Sequence, residues 1–332
     1  MQASAVFFPI EETFAKGLKK MTKEGTFSKG YAAVFATVLI WSTPSLFQFY
    51  LNRFYDPWAQ NFYRYSVACL AVMPFVLYRF RRRGGPPIDR AILLACLIPA
   101  LPNVVHQIAQ TVALFHMGPG VFAIFIRSSV IITTLLALIF FPEERWIIRQ
   151  WQFQVGTLLG LIGAVGVLWF QPGGDGGSIT LAGFGIAFAA SFSWALYSVL
   201  VKRPSARLGP VRSFGLISFI TSALLLPLTL SFGNIGTPLH VGVDVNLILI
   251  VSAVLCISLA HVLYYVAIRK VGVALSQTLQ LLCPAGALGL SALFFGERLT
   301  AAQLWSSAIL LFGAFLAMRA KSSAEPAASE EV

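Results

Sequence analysis

Acidic side chains are scarce in this sequence. Thirteen Asp and Glu stand against 24 Lys and Arg in 332 residues, and charged residues of both signs make up only 11%. A soluble domain carries about a quarter charged residues, so the chain lacks the polar side chains needed to coat a globule in water. All 13 acids fall in tails, loops or the ends of apolar runs. That disfavours the buried carboxylate relay through which protons or sodium couple to transport. Cysteine is thin as well: Cys69, Cys96, Cys256 and Cys283 lie within apolar runs, show no C-x-x-C spacing, and read as packing residues. A phosphate loop after a strand, an H-E-x-x-H pair and a nucleophile elbow are all missing. No catalytic residue, cofactor or metal is therefore expected, and the chain is not read as an enzyme.

What is abundant is apolar: 57% of residues are hydrophobic. Ten runs stand out, at 30–51, 57–78, 91–114, 118–141, 151–170, 181–201, 213–232, 246–267, 272–295 and 302–319. Each approaches the roughly 20 residues that an α-helix needs to cross about 30 Å of hydrocarbon. Runs such as "AILLACLIPAL" are apolar on every face rather than alternating, which excludes barrel strands. An all-α integral membrane protein with ten transmembrane helices follows. Its loops are short and carry turn signals, "RRRGGPP", "QPGGDGGS" and "NIGTP", leaving no room for a soluble domain.

Residues 1–29 show neither a basic n-region nor a cleavage site, so no signal peptide is read. Phe7, Ile10, Phe14, Leu18 and Met21 recur at helical spacing beside Lys16, Lys19, Lys20 and Lys23. This suits an interfacial helix on an anionic leaflet, although Pro9 argues for a disordered basic tail instead. Residues 321–332 read as a disordered tail. With the N-terminus placed inside, 20 of the 24 Lys and Arg fall on inner segments, Arg53 and Arg298 fall outside, and Arg64 and Arg127 lie within spans. The positive-inside rule then puts both termini in the cytoplasm, with the chain in the cell's cytoplasmic membrane. Topology accounts for the net charge of +11; no nucleic-acid partner is implied.

The chain repeats itself. A shift of 153 residues aligns Gly30 with Gly183, Phe35 with Phe188, Trp41 with Trp194, Ser45 with Ser198, Pro57 with Pro210 and Pro74 with Pro227. Without a gap it then aligns Glu144-Arg145 with Glu297-Arg298 and Gly160 with Gly313. Residues 30–170 and 181–320 are thus two five-helix units. Five is odd, so the second unit enters the bilayer from the opposite side, and the repeats are inverted, a transporter signature.

The second half opens "GFGIAFAASFSWALYSVLVKR" and its ninth helix runs into "LSALFFGERLTAAQLW". With the two "ER" corners, this resembles the drug/metabolite transporter superfamily, in its EamA-like branch. The resemblance implies a carrier of small metabolites, often an exporter, with a central cavity and with helices five and ten on the periphery. It implies no particular substrate.

Polar stripes mark which faces meet that cavity. In helix three, Asn103, His106, Gln107 and Gln110 share one face at i, i+3, i+4, i+7. Ser45, Gln48 and Asn52 do so in helix one, Gln60, Asn61 and Arg64 in helix two, Ser258, His261 and Tyr265 in helix eight, and Ser276, Gln277 and Gln280 in helix nine. Each stripe must face protein or water, and five together favour a shared wet cavity over isolated interhelical bonds. Arg127, in "VFAIFIRSSVIITTLL", sits about 14 Å into its span, near the middle of a ~30 Å core. Its repeat mate is Gln280. Two readings stand: Arg127 binds an anionic part of the substrate, or it satisfies carbonyls at a helix broken by Pro44, Pro99, Pro102 or Pro284. The first is preferred. Arg64 lies nearer an interface, where structural anchoring is the simpler role. His106 and His261 are hydrogen-bonding residues or proton carriers. Glu144 and Glu297 read as corner residues, and "TAAQ" at Thr300–Gln303 as a capping box.

The substrate-binding candidates are Arg127, Gln280, His106, Gln107, Gln277, His261, Tyr265 and Arg64. They belong to a multi-pass secondary transporter, exporting or exchanging a small anionic or zwitterionic metabolite such as an amino acid. Its expected partners are that solute and the lipid bilayer, as a monomer or homodimer. The alternatives are a non-transporting scaffold or receptor and an intramembrane enzyme acting on a lipid carrier.

Overall fold

The computed structural model describes residues 29–83, 88–116, 122, 125–170, 181–287, 290 and 300–322. The N-terminal segment, the "QPGGDGGS" loop, the Glu297-Arg298 corner and the C-terminal tail lie outside the described residues. Every regular element among the described residues is helical. In chain order the long helices are α1 (Lys29–Leu51), α2 (Pro57–Arg83), α3 (Arg90–His116), α4 (Phe125–Phe140) and α5 (Trp151–Trp169). They continue with α6 (Leu181–Leu208), α7 (Pro210–Phe232), α8 (Val243–Val271), α9 (residues 273–287) and α10 (Ala301–Ser322).

By length and composition six of these can cross a membrane, or seven if α4 and the short helices that follow at a 117° bend form one span. The sequence led to an expectation of ten. The six leave out α2, α4, α5 and α9. α2 ends in the arginine run Arg79–Arg83, and α4 and α9 are described over only part of their apolar runs. Helices also outrun the apolar segments: α7 starts at Pro210, because proline at N1 has no amide to leave unpaired.

Polarity is arranged inside out relative to a water-soluble protein. Large apolar side chains face outward, with Leu70 72%, Trp305 73% and Leu181 88% exposed, while Gln60, Asn61, Arg64 and Asn103 are almost wholly enclosed. Hydrocarbon tolerates the first arrangement and demands the second.

Two helices pack backbone to backbone. A Cβ added to Gly163 of α5 would lie 2.5 Å from the Leu310 amide nitrogen of α10, and one added to Gly156 2.5 Å from that of Ala317. From the other side, a Cβ on Gly313 would lie 2.6 Å from the Gly160 nitrogen. Such small-residue stripes allow the close approach on which helix association in lipid depends, because apolar burial drives nothing there.

The ends of the bundle are tied by polar contacts. At one end Glu144 is buried, and its two carboxylate oxygens accept the Val273 and Ala274 amides at the start of α9, each at 3.0 Å. Lys202 of α6 donates to Glu144 at 2.6 Å and to Glu143 at 2.9 Å, with its ammonium 3.9 Å from the Phe141 ring centre. The hydrogen bond from Lys202 holds the Glu143 carboxyl below its ordinary range. Gly272, at φ +90, turns the chain directly against Glu144, with room for no side chain at ordinary contact distance. Arg212 donates to the Arg79 carbonyl at the same end. At the other end Asp56 caps α2 through the Trp58 and Ala59 amides and accepts the Asn234 amide from the α7–α8 connection. The Thr300–Gln303 capping box forms as expected, with Gln303 N–H to Thr300 Oγ1 at 3.2 Å and Thr300 N–H to Gln303 Oε1 at 2.9 Å.

The glycine contact yields a first prediction. Gly163→Val should separate α5 from α10, shown by loss of the monodisperse peak on size-exclusion chromatography in detergent. Gly185→Ala meets nothing within 4 Å and should leave the thermal midpoint unchanged or slightly raised, since alanine gains up to about 1 kcal/mol in helix propensity.

Candidate functional site

A cavity of about 110 Å³ opens in the middle of the bundle. At roughly 10–15 Å³ of probe volume per water it has room for several waters or a small solute. α1 contributes Trp41, Ser45 and Gln48, α2 Arg64, and α3 His106, Gln107 and Gln110. Arg127 and Ser129 come from α4, Trp194 from α6, Cys256 and His261 from α8, and Gln277, Gln280 and Cys283 from α9. None of these lining residues belongs to α5, α7 or α10.

Arg127 both lines the cavity and hydrogen-bonds a backbone carbonyl. Its Nη1 donates to the Gln280 carbonyl at 2.7 Å. In a regular helix that carbonyl would receive the amide four residues on, which belongs to Pro284 and carries no hydrogen. α9 responds by tightening to a 3₁₀ turn at Gln280–Leu282, in which the Cys283 amide reaches back to Gln280. Arg127 supplies the second donor. Its Nε is buried without a partner, and the residue lines the cavity.

Arg64 departs from its anchoring role. It is 1% exposed, too enclosed to reach an interface. Its Nε donates to Ser252 Oγ at 3.2 Å, Nη1 has no partner, and the side chain lines the cavity. The long side chain runs inward, to Ser252 of α8 and the cavity, rather than outward to water.

The remaining candidates divide. His106 donates its Nδ1 hydrogen to the Ala190 carbonyl at 2.9 Å and His261 donates its own to the Ile257 carbonyl at 2.8 Å. A carbonyl can only accept, so each neutral ring keeps Nε2 as an acceptor, and Nε2 of His261 is buried without a partner. Gln277 donates to Ser198 Oγ and Tyr264 Oη, each at 2.6 Å, which fixes it on the wall. Gln280 keeps an unpartnered Nε2. Tyr265 stands apart: its hydroxyl meets that of Tyr197 and it packs on Phe214, away from the residues that line the cavity.

Other stripe members serve interhelical bonds. Asn61 donates to the Gln107 carbonyl and Thr111 Oγ1, Asn103 pairs with the Tyr65 hydroxyl and Thr221, and Gln60 donates to Asn52. Such bonds are worth about 0.6–2 kcal/mol each in membranes.

An aromatic wall was missed as a site feature. Trp41 and Trp194 meet edge to face at 5.2 Å, Trp41 lies 5.2 Å from His261, and Trp194 4.9 Å from His106. The Trp41 Nε1–H is accepted by the Cys256 carbonyl at 2.9 Å, in a π-helical turn of α8 at Ala253–Leu259. The signal was available in the 153-residue shift, which aligns the two tryptophans. It also aligns Arg127 with Gln280 and Gly160 with Gly313, and each of these three pairs is in direct contact.

Chemically the cavity offers two guanidinium groups, two imidazoles, amide donors and aromatic faces. Among the described residues no carboxylate lines it, and no His, Cys, Asp or Glu cluster could hold a metal.

Comparisons with known proteins agree with this architecture. The model of the EamA-like transporter family matches residues 28–169 and again residues 181–319. A protein of Haemophilus influenzae named "Uncharacterized transporter" is 26% identical over 187 residues, 56% of this chain and 62% of that protein. The chain thus spans less than two thirds of that relative. Another "Uncharacterized transporter", from Archaeoglobus fulgidus, is 29% identical over 304 residues, 87% of this chain and 96% of that one. A solved structure described as "Crystal structure of protein" superposes with a TM-score of 0.73 at 20% identity, over 90% of this chain and 99% of the other, a likeness of fold alone. With its apolar exterior, its enclosed polar cavity and the family match along both halves, the chain is a multi-pass membrane protein and belongs to the EamA-like transporter family, a family of transporters rather than enzymes.

Proposed function

We propose that this chain is a secondary transporter that exports or exchanges a small anionic or zwitterionic metabolite, such as an amino acid, by alternating access. Its frame is ten spans in two inverted repeats, residues 30–170 and 181–320, with both termini cytoplasmic. One observation carries the substrate reading: Arg127 lines a central cavity whose described lining contains no carboxylate, and keeps a buried donor unused. A guanidinium in a site of reduced dielectric attracts a carboxylate or phosphate and offers it a planar fork.

Contacts between repeat mates support the duplicated frame. A two-fold axis brings a residue beside its own mate only near that axis, and Trp41–Trp194, Arg127–Gln280 and Gly160–Gly313 all touch. Two of these pairs lie on the cavity, where a carrier with exchanging halves holds its solute. The basic inner segments of the charge tally also gather at one end, through Lys202 and Arg212, which supports the orientation. The Glu144–Lys202 cluster there joins the α4–α5 corner, α6 and α9, and must part for the cavity to open at that end. With no carboxylate on the cavity wall among the described residues, transport runs as exchange or facilitated export, or couples to protons through His106 or His261.

Arg127 has two separable roles, which sets the test. Arg127→Gln should lower stability by about 1.5–3 kcal/mol, the range for a hydrogen bond from a charged donor. It should also abolish most uptake of substrate into proteoliposomes. Adding Pro284→Ala restores an amide to the Gln280 carbonyl and should recover the thermal midpoint without recovering transport. Recovery of both together would reduce Arg127 to a structural residue.

Sidedness has its own check. Ile235→Cys, at the end holding Asp56, should react with an impermeant maleimide added to intact cells, and Arg207→Cys only after permeabilisation. The reverse pattern would invert the orientation.

For coupling, His106→Gln and His261→Gln are compared for accumulation against an imposed pH gradient. Loss of gradient-driven accumulation with solute exchange retained identifies the proton route, and full retention in both variants rules out coupling through either histidine.

A further inference from the structure

The cavity wall holds two cations for which the described structure provides no anion. We propose that the solute is doubly negative, a dicarboxylate or a phosphate monoester, bound between Arg64 and Arg127. The inference rests on the reading of the cavity as an anion site and narrows it.

Arg64 is almost fully enclosed, keeps its charge at any ordinary pH, and has Nη1 buried without a partner on the cavity wall. Its described hydrogen bond goes to a neutral hydroxyl, Ser252. Arg127 commits one nitrogen to a carbonyl and leaves Nε unused. The buried carboxylate of Glu144 is engaged with Lys202 and the start of α9, and does not line the cavity. Cations at membrane depth ordinarily pair with acids or carbonyls. Here two like charges share a cavity of about 110 Å³, where a reduced dielectric strengthens their repulsion.

Charge balance then separates solute classes. A zwitterion cancels neither charge in sum, and its ammonium finds no carboxylate on the described wall. A monoanion leaves one guanidinium unbalanced. A dianion neutralises both, with Arg64 Nη1, Arg127 Nε and Gln280 Nε2 as donors that have no partner in the protein. Dicarboxylates and phosphate monoesters share this chemistry.

Matched probes that differ by one charge test the inference, using the purified full-length protein in detergent and isothermal titration at pH 8. Succinate is compared with succinamate, and methyl phosphate with dimethyl phosphate. At least one dianion should bind tenfold or more tightly than its monoanionic partner, and which pair shows the larger ratio identifies the carboxylate or the phosphate source. Arg64→Gln should bring that ratio below threefold while monoanion affinity changes little, and Arg64→Lys, which keeps the charge should the first variant fold poorly, should preserve the preference. Equal affinity within both pairs overturns the dianion inference but leaves an anion site at Arg127 standing, as does an unchanged ratio in Arg64→Gln. Binding of none of the four probes by the folded protein overturns the anion-site reading itself, and this inference with it.

Discussion

A carbonyl deprived of its amide partner in the middle of a membrane governs much of this structure. Pro284 removes the hydrogen that Gln280 would accept, and a carbonyl left unpaired within a bilayer is costly. The helix tightens to recover one donor, and Arg127 reaches across from α4 to give another. A guanidinium is suited to that position because one nitrogen can serve the backbone while others remain free. The same bond that keeps α9 intact therefore holds a cation at the cavity wall. One side chain thus serves both the backbone of α9 and the wall of the cavity.

The rest of the polar interior follows the same rule at lower stakes. Amides on α1, α2 and α3 pair with one another and with backbone carbonyls, so that Asn61, Asn103 and Gln60 hold helices together. Gln48 Oε1, His261 Nε2 and Gln280 Nε2 have no fixed partner and belong to residues of the cavity wall, while Gln60 Oε1 and Asn61 Oδ1 are unpartnered away from it. A chain that leaves these atoms bare in a bilayer must expect something polar to arrive. The aromatic wall of Trp41 and Trp194 gives the opposite surface a rigid shape, with both rings braced by histidines.

Much of this was legible in the sequence. The apolar runs, the helical stripes and the lone Arg127 follow from hydrocarbon's intolerance of unsatisfied groups, and seven of the eight predicted site residues line one cavity. What was illegible depends on direction and reach. Arg64 was misplaced because depth along a helix says nothing about which way a long side chain runs. Tyr265 shares a helical face with His261 but sits about one turn further on, where α6 and α7 cover it through Tyr197 and Phe214. Spacing could not separate Asn103, which bonds Tyr65, from His106 on the same stripe. Glu144 looked like a corner residue, and only the approach of Lys202 and the α9 amides reveals it as the knot of one end. Proline was counted among the possible breakers, yet only the three-dimensional partner singles out Pro284 from the others.

The glycine-packed pair of α5 and α10 bears on how such a protein can change over time. These helices touch through bare backbone and give no residue to the cavity. Substitutions on the cavity walls of α1, α3 and α6 leave this contact untouched, whereas the seam reaches the cavity through Leu281, against which Gly160 packs beside Gln280. A lineage built on this plan can vary what its cavity accepts by exchanging side chains on the inner walls while inheriting, unchanged, the glycine seam between α5 and α10.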